Sequence, residues 1–403
     1  MKPRGVPEPS AILLAAPRWR REPYQVLFPL GMLLAWAGVV HWLLHALGLL
    51  PHYRPVFHSI AQIQGFMMCF AVGFLFTAIP RRTGTAAPAA WQMIVAVIAP
   101  TGSTMAAWFE QWAWSQAFWM ILALVLVGFA VRRFRSALAS RRPPNSFVWV
   151  PISFGMGMVG SGLIGSYGLL GHEYFWLHDL GRLFLLQGMF LGLVVGVGGM
   201  VLPLITRGQG PPDGAASARD RLVRVGHLAA ALILAGSFWL ENSVSLRGGL
   251  ALRALVILAV LLLASRIWRR PTVAGWHRWL VWLSAWMIPA GYVLAALFPG
   301  QKKAGLHVVF IGGFALMAFS VGLHVALAHG GHKREITGRP WQVPAYGALL
   351  LLAMLARALV DFDQQRFFPW IAVSAGAFLL GSLFWASLVL PRLWGRGEPE
   401  VSS

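Results

Sequence analysis

The chain alternates long hydrophobic stretches with short polar connections. Eleven stretches contain no Asp, Glu, Lys or Arg, and a twelfth, 248–265, is interrupted only by Arg253. About 20 mostly apolar residues let a helix cross the hydrocarbon layer of a membrane, and only helices satisfy all backbone amides there. The sequence therefore predicts an all-α, polytopic membrane protein with twelve transmembrane helices. The uninterrupted stretches are residues 23–53, 55–80, 83–109, 111–131, 143–172, 183–206, 225–240, 279–301, 304–332, 340–356 and 367–391.

The composition supports this prediction. Of 403 residues, 58% are hydrophobic and only 11% are charged, against about 25% charged in soluble domains. Most of the 33 Lys and Arg residues, which give a net charge of +20, fall in alternate connections. The positive-inside rule then places both chain ends in the cytoplasm and explains the charge without a nucleic-acid partner. We expect cytoplasmic segments at 1–22 and 393–403 and one domain, 23–392, in the lipid of the inner membrane.

Three of the predicted helices resemble one another. The second, sixth and tenth run in the same direction, begin near a histidine and finish in similar sequences. The histidines, His58, His178 and His307, are 120 and 129 residues apart. This spacing is compatible with three four-helix units about a pseudo-threefold axis. Gly and Pro are also common in unrelated membrane helices, which is the alternative explanation. The similar helix ends are 74–84, 200–208 and 323–332.

Histidine is the main candidate for chemistry inside the predicted membrane region. The chain has 12 histidines and few carboxylates in its spans, and its single cysteine, Cys69, excludes a disulfide framework or an iron–sulfur cluster. Neutral imidazole binds haem iron, copper and zinc. His58 and His307 both begin helices that run inward from the outer face. They are therefore the best pair of axial ligands for a haem b.

Further residues near the outer boundary extend this candidate site. His178 matches the axial pair by its place in the repeat and suits a second metal, with copper as the candidate. His41 and His45 lie four residues apart on one face of the first helix and form another candidate metal pair. Three arginines could receive haem propionates, although an interfacial position alone explains the last of them; they are Arg182, Arg253 and Arg357. Inner-side histidines favour interfacial hydrogen bonding over a cytosolic metal site; they are His324, His329 and His332.

The helix-end sequences resemble those of the NnrS family of haem- and copper-containing bacterial membrane proteins. His58 with 73–84 matches the family's second-helix region, and 201–207 matches the end of its sixth helix. The segment from His307 to His329 is similar to the tenth helix, and the likeness in length and span count covers the whole chain. The resemblance assigns family positions to His58, His307 and His329. The departures are Ile60, Ala61 and His324, which stand where the family has His, Glu and Arg.

The resemblance implies a haem b protein, with copper as an optional second cofactor. It also implies a role in the nitric oxide or nitrosative-stress response of denitrifying bacteria. With one imidazole on the iron, a haem binds nitric oxide or another diatomic gas, and with two imidazoles it favours electron transfer. The twelve-helix plan also resembles the catalytic subunit of haem–copper oxidases. The seventh helix carries only His227, so we do not expect the usual oxidase binuclear centre.

Two functions without a redox cofactor stay open. Twelve helices with internal repeats and Gly/Pro-interrupted spans are also typical of secondary transporters. Few charged residues lie in the middle of the spans, where a substrate or coupling ion would bind. The other alternative is a non-catalytic assembly partner of a respiratory complex. The sequence does not indicate whether the protein turns over a substrate.

Overall fold

The computed structural model describes residues 11–136, 142–214 and 217–395. In this part of the chain, twelve helices are long and apolar enough to cross a membrane, and no strand is present. The predicted all-α, twelve-span architecture is confirmed. Residues 1–10 and 396–403, which form much of the expected terminal segments, lie outside the described residues.

The twelve helices follow the order of the charge-free stretches. The first six are α1 Tyr24–Ala46, α2 Pro55–Thr83, α3 Ala90–Trp108, α4 Trp112–Phe134, α5 Asn145–Leu170 and α6 Phe175–Arg207. The last six are α7 Ala218–Ser243, α8 Leu246–Ser265, α9 Trp276–Leu297, α10 Pro299–Gly330, α11 Gln342–Phe362 and α12 Gln364–Leu393.

Several helices extend beyond the charge-free stretches. Helix α6 begins before residue 183 because its two charged residues pair within the helix, Arg182 Nη2 lying 3.1 Å from Asp179 Oδ1. Helix α7 begins before residue 225 because the Ser217 hydroxyl accepts a hydrogen bond from the Asp220 amide at 3.1 Å, which caps the first turn. Charge alone therefore underestimates helix length where charges are paired or lie at a cap.

The helices form a closed arrangement. Each helix contacts the next in the chain, and α12 packs against α1. The same kind of contact joins α4 to α5 and α8 to α9. Following the repeat predicted from the sequence, we describe the twelve helices as three units of four, α1–α4, α5–α8 and α9–α12.

Helices α2, α6 and α10 occupy equivalent places in the three units and are the most buried spans. Each contains a π-helical segment near its beginning, at Ala61–Met67, Leu183–Gly188 and Val308–Ala315. Each also ends at a glycine with positive φ, which an L side chain rarely adopts. These glycines, Gly84, Gly208 and Gly331, are 124 and 123 residues apart. The threefold repeat predicted from the sequence is thus present in the local backbone geometry as well.

The first two helices of each unit cross at a glycine. A Cβ on Gly38 of α1 would lie 2.8 Å from the Ala61 Cβ, and one on Gly160 of α5 would lie 2.5 Å from the Gly181 carbonyl oxygen. A Cβ on Gly291 of α9 would lie 2.6 Å from the Gly305 oxygen. Small residues let membrane helices approach this closely. The crossings therefore hold α2, α6 and α10 in place near their beginnings, where the predicted histidines lie.

Candidate functional site

His58 and His307 are oriented in the same way at the beginnings of α2 and α10. Nδ1 of His58 lies 2.7 Å from the Gly38 carbonyl oxygen, and Nδ1 of His307 lies 2.7 Å from that of Lys303. A carbonyl oxygen only accepts, so Nδ1 must carry the proton in both rings. The lone pair of each neutral imidazole is therefore on Nε2. Imidazoles that bind metals commonly donate their other N–H in this manner.

Arg357 of α11 joins the two histidines in one electrostatic environment. Its guanidinium lies within electrostatic range of both imidazoles, and the two imidazoles lie within electrostatic range of each other. The partly buried guanidinium lies 3.7 Å from the Asp361 carboxylate, and its Nη1 has no hydrogen-bond partner among the described residues. The structure therefore brings together three of the predicted site residues. It also leaves Nη1 of Arg357 without a hydrogen-bond acceptor among the described residues. An anionic group bound there would supply that acceptor.

His41 of α1 lies beside this group. Its ring centroid is 6.3 Å from that of His58 and 5.3 Å from that of Phe57. The side chain is buried, and neither ring nitrogen has a hydrogen-bond partner in the described part of the chain. A buried polar ring without partners is costly and is uncommon in folded proteins.

His45 has different neighbours from His41. Its Nδ1 lies 2.8 Å from the Leu50 carbonyl oxygen, and its ring contacts Tyr53 and Phe368. The structure thus places His41, rather than His45, next to the candidate haem ligand His58.

No group of three or more His, Cys, Asp or Glu side chains able to hold a metal occurs within the described ranges.

His178 and Arg182 lie together at the beginning of α6. His178 is buried, stacks on Phe175 with ring centroids 5.2 Å apart, and has an Nδ1 without a hydrogen-bond partner among the residues described. The Asp179 carboxylate is 3.9 Å from this nitrogen and also pairs with Arg182. Arg182 is half exposed, with 47% of its side chain accessible.

Arg253 of α8 is fully buried in a polar network. Its Nη2 donates to Glu241 Oε2 at 2.7 Å, and its Nη1 donates to Gln187 Oε1 at 2.9 Å. Lys302 at the beginning of α10 donates to the other Glu241 oxygen at 3.0 Å. Because these groups satisfy the guanidinium, its donors are held by α6 and α7 rather than offered to a ligand.

Sequence reasoning did not identify the partners of the two buried arginines. Asp361 and Glu241 are two of only 13 acidic residues in the chain. Asp361 follows Arg357 by four residues, a spacing that places both on one helix face and could have signalled the pair. The pairing of Glu241 with Arg253 depends on how α7 packs against α8, and no local pattern indicates it.

A separate group of histidines lies at the opposite end of the helices from His58 and His307. His277 Nε2 lies 3.1 Å from His324 Nδ1, and His329 Nδ1 lies 3.3 Å from Glu22, which also pairs with Arg81. His332 contacts the Arg392 carbonyl oxygen at 3.3 Å. The expected interfacial hydrogen bonds of the inner histidines are present, and the His277–His324 pair was not predicted.

Comparison with known proteins identifies the family. A family model described as NnrS protein matches residues 18–396. The chain belongs to the NnrS family. A search of curated proteins found no match. The NnrS match spans all twelve helices, so the histidines and Arg357 described above lie within the matched residues.

Proposed function

We propose that this NnrS protein binds a haem b between α2 and α10, where His58 and His307 would hold it. One observation carries the proposal: two imidazoles from distant parts of the chain both donate Nδ1–H to a carbonyl, and neither Nε2 has a hydrogen-bond partner among the described residues. In addition, Arg357 lies within electrostatic range of both imidazoles. Arg357 would receive a propionate, because its Nη1 makes no hydrogen bond to a described residue and has only a 3.7 Å ion pair with Asp361.

The protein groups around these histidines have distinct roles in the proposed site. The carbonyls of Gly38 and Lys303 fix the ring planes and the tautomer. Trp42 contacts the His58 ring edge-on at 5.9 Å, and Phe310 contacts His307 in the same way at 6.2 Å. These aromatic rings exclude water, which strengthens electrostatic interactions within the site. Arg182 and Arg253 are less suited to a propionate, since each donates a hydrogen bond to a carboxylate, whereas Arg357 forms only a longer ion pair of 3.7 Å with Asp361.

A bound haem supplies one-electron transfer or the binding of a diatomic gas. We propose that this chemistry serves the nitric oxide or nitrosative-stress response. A haem held by both imidazoles would supply electron transfer, whereas a haem held by only one of them would supply binding of nitric oxide. Nothing in the NnrS family match favours the transporter alternative.

Copper is a second and separate part of the proposal. His178 offers a buried Nδ1 without a partner in the described residues, with the Asp179 carboxylate nearby. His41 offers a second buried imidazole without partners, and His45 lies one turn further along α1. Copper accepts imidazole ligands, so His178 on α6 and the His41/His45 pair on α1 are two separate candidate positions for it.

A pyridine haemochrome assay on purified protein tests the haem site. We expect haem b in the wild type, loss of most of it in His58→Ala and His307→Ala, and no change in His52→Ala, which alters an exposed loop histidine. Absorbance spectra of the reduced protein with and without nitric oxide then separate gas binding from electron transfer. Copper analysis of the wild type and His178→Ala tests the second metal. Wild-type protein without a haem signal would contradict the proposal.

A further inference from the structure

An apolar chamber, partly open at the surface of the protein, lies between α2, α6 and α10. Its volume is about 130 Å³. All of its lining side chains are Phe, Met, Leu, Val or Ala, together with two glycines. His58, His307 and Arg357 are not among the lining residues, so the chamber is separate from the proposed haem site.

The lining repeats from one four-helix unit to the next. Within the lining, each of the three helices presents a pair of partly accessible residues three positions apart, while most lining neighbours are buried. Successive pairs are 123 and 124 residues apart, close to the spacing of the three C-terminal glycines. The chamber therefore lies where the three units meet. The pairs are Ala71 with Phe74, Val194 with Val197, and Ala318 with Val321.

A chamber of this chemistry is unfavourable for water. A buried water needs two to four polar partners, and apolar cavities of roughly 150 Å³ stay dry and bind benzene or xenon. An empty chamber forgoes dispersion contacts on its inner surface, and an apolar guest restores them. The lining methionines, Met67 and Met317, are flexible and polarisable and can adapt to such a guest.

We infer that this chamber is a binding site for one small apolar molecule, of the size of xenon or a diatomic gas. The lining contains no group that could bind the guest covalently or through a charge. Occupancy therefore depends on size and on transfer from the surrounding lipid. The site does not depend on haem, so it stands or falls separately from the proposed function.

Methyl NMR under xenon pressure tests the inference on the intact protein in lipid nanodiscs. With ¹³C-methyl methionine, the signals of Met67 and Met317 should shift and saturate as xenon pressure rises. Met105 of α3 is 58% exposed on the surface of the helix bundle. It should show only the linear, non-saturating shift caused by xenon dissolved in lipid. These three signals report the chamber and the lipid in one sample.

Filling the chamber is a second test, and the same substitution at an exposed alanine is its matched control. Ala318→Leu should abolish the saturable shift, whereas Ala251→Leu, at an exposed alanine of α8, should leave it unchanged. If Ala318→Leu does not fold, Val197→Leu on α6 makes the same test from another helix. A saturable shift that persists in a folded filled variant would overturn the inference. The same holds if Met67 and Met317 shift no more than Met105, as expected when a lipid or detergent chain occupies the chamber.

Discussion

At the scale of single residues, the sequence position of an arginine indicates whether it can bind a ligand less well than its hydrogen-bond partners in the structure do. Arg253 interrupts an apolar stretch and was therefore a stronger ligand candidate than Arg357, which lies near a helix end. The structure reverses their order, because Glu241 and Gln187 satisfy Arg253 whereas Nη1 of Arg357 makes no hydrogen bond to a described residue. The equivalent places of His58 and His307 at the beginnings of α2 and α10 were predictable from the repeat, and their role as haem ligands stays a prediction.

The Arg253 network gives a prediction about stability. Arg253→Met leaves the Glu241 carboxylate buried with Lys302 as its only charged partner, and removing one member of a buried pair costs about 3–5 kcal/mol. We expect a clear fall in the apparent unfolding temperature, measured by intrinsic fluorescence in detergent. Arg182→Met removes a half-exposed pair with Asp179 and should cost less than about 1 kcal/mol. Equal effects of the two substitutions would show that the network does not stabilise the fold.

At the scale of elements, the number and order of the helices were predictable from the distribution of charge. A charge in a span needs a partner, and the chain has few acidic residues to provide one. The π-helical segments of α2, α6 and α10 were not predictable, because an i to i+5 hydrogen bond leaves no hydrophobic period of its own. The close crossings at Gly38, Gly160 and Gly291 depend on how each helix packs against the next one, and no local pattern in the sequence indicates this packing.

The crossing of α9 with α10 is open to a direct test. A Cβ on Gly305 would lie 2.4 Å from the Gly291 carbonyl oxygen, so Gly305→Ala must push the two backbones apart. We expect a destabilisation of about 1–3 kcal/mol, as for other overpacked positions, measured as a lower unfolding temperature. Gly162→Ala in α5 adds the same methyl group where nothing lies within 4 Å and should not lower it. Wild-type stability in Gly305→Ala would mean that the helices are not packed this closely.

At the scale of the whole molecule, the repeat places equivalent residues of the three units at the same end of the helix bundle. Twelve spans place Tyr24 and Leu393 on the same side of the membrane. The histidines His58, His178 and His307 then share one end of α2, α6 and α10, and the C-terminal glycines share the other. The basic residues Arg81, Arg82 and Arg207 lie in the last turns of α2 and α6, which favours the cytoplasm for that end.

This orientation makes a prediction that thiol labelling can check. Cys69, the only cysteine, is buried, so the native chain should react little with a membrane-impermeant maleimide. In right-side-out spheroplasts, Leu49→Cys should be labelled, because Leu49 is 68% exposed in the connection that precedes α2. Gln209→Cys, in the exposed connection after α6, should be labelled only after the membrane is permeabilised. The opposite labelling pattern would place the histidines on the cytoplasmic side and would move the proposed haem site to the inner leaflet.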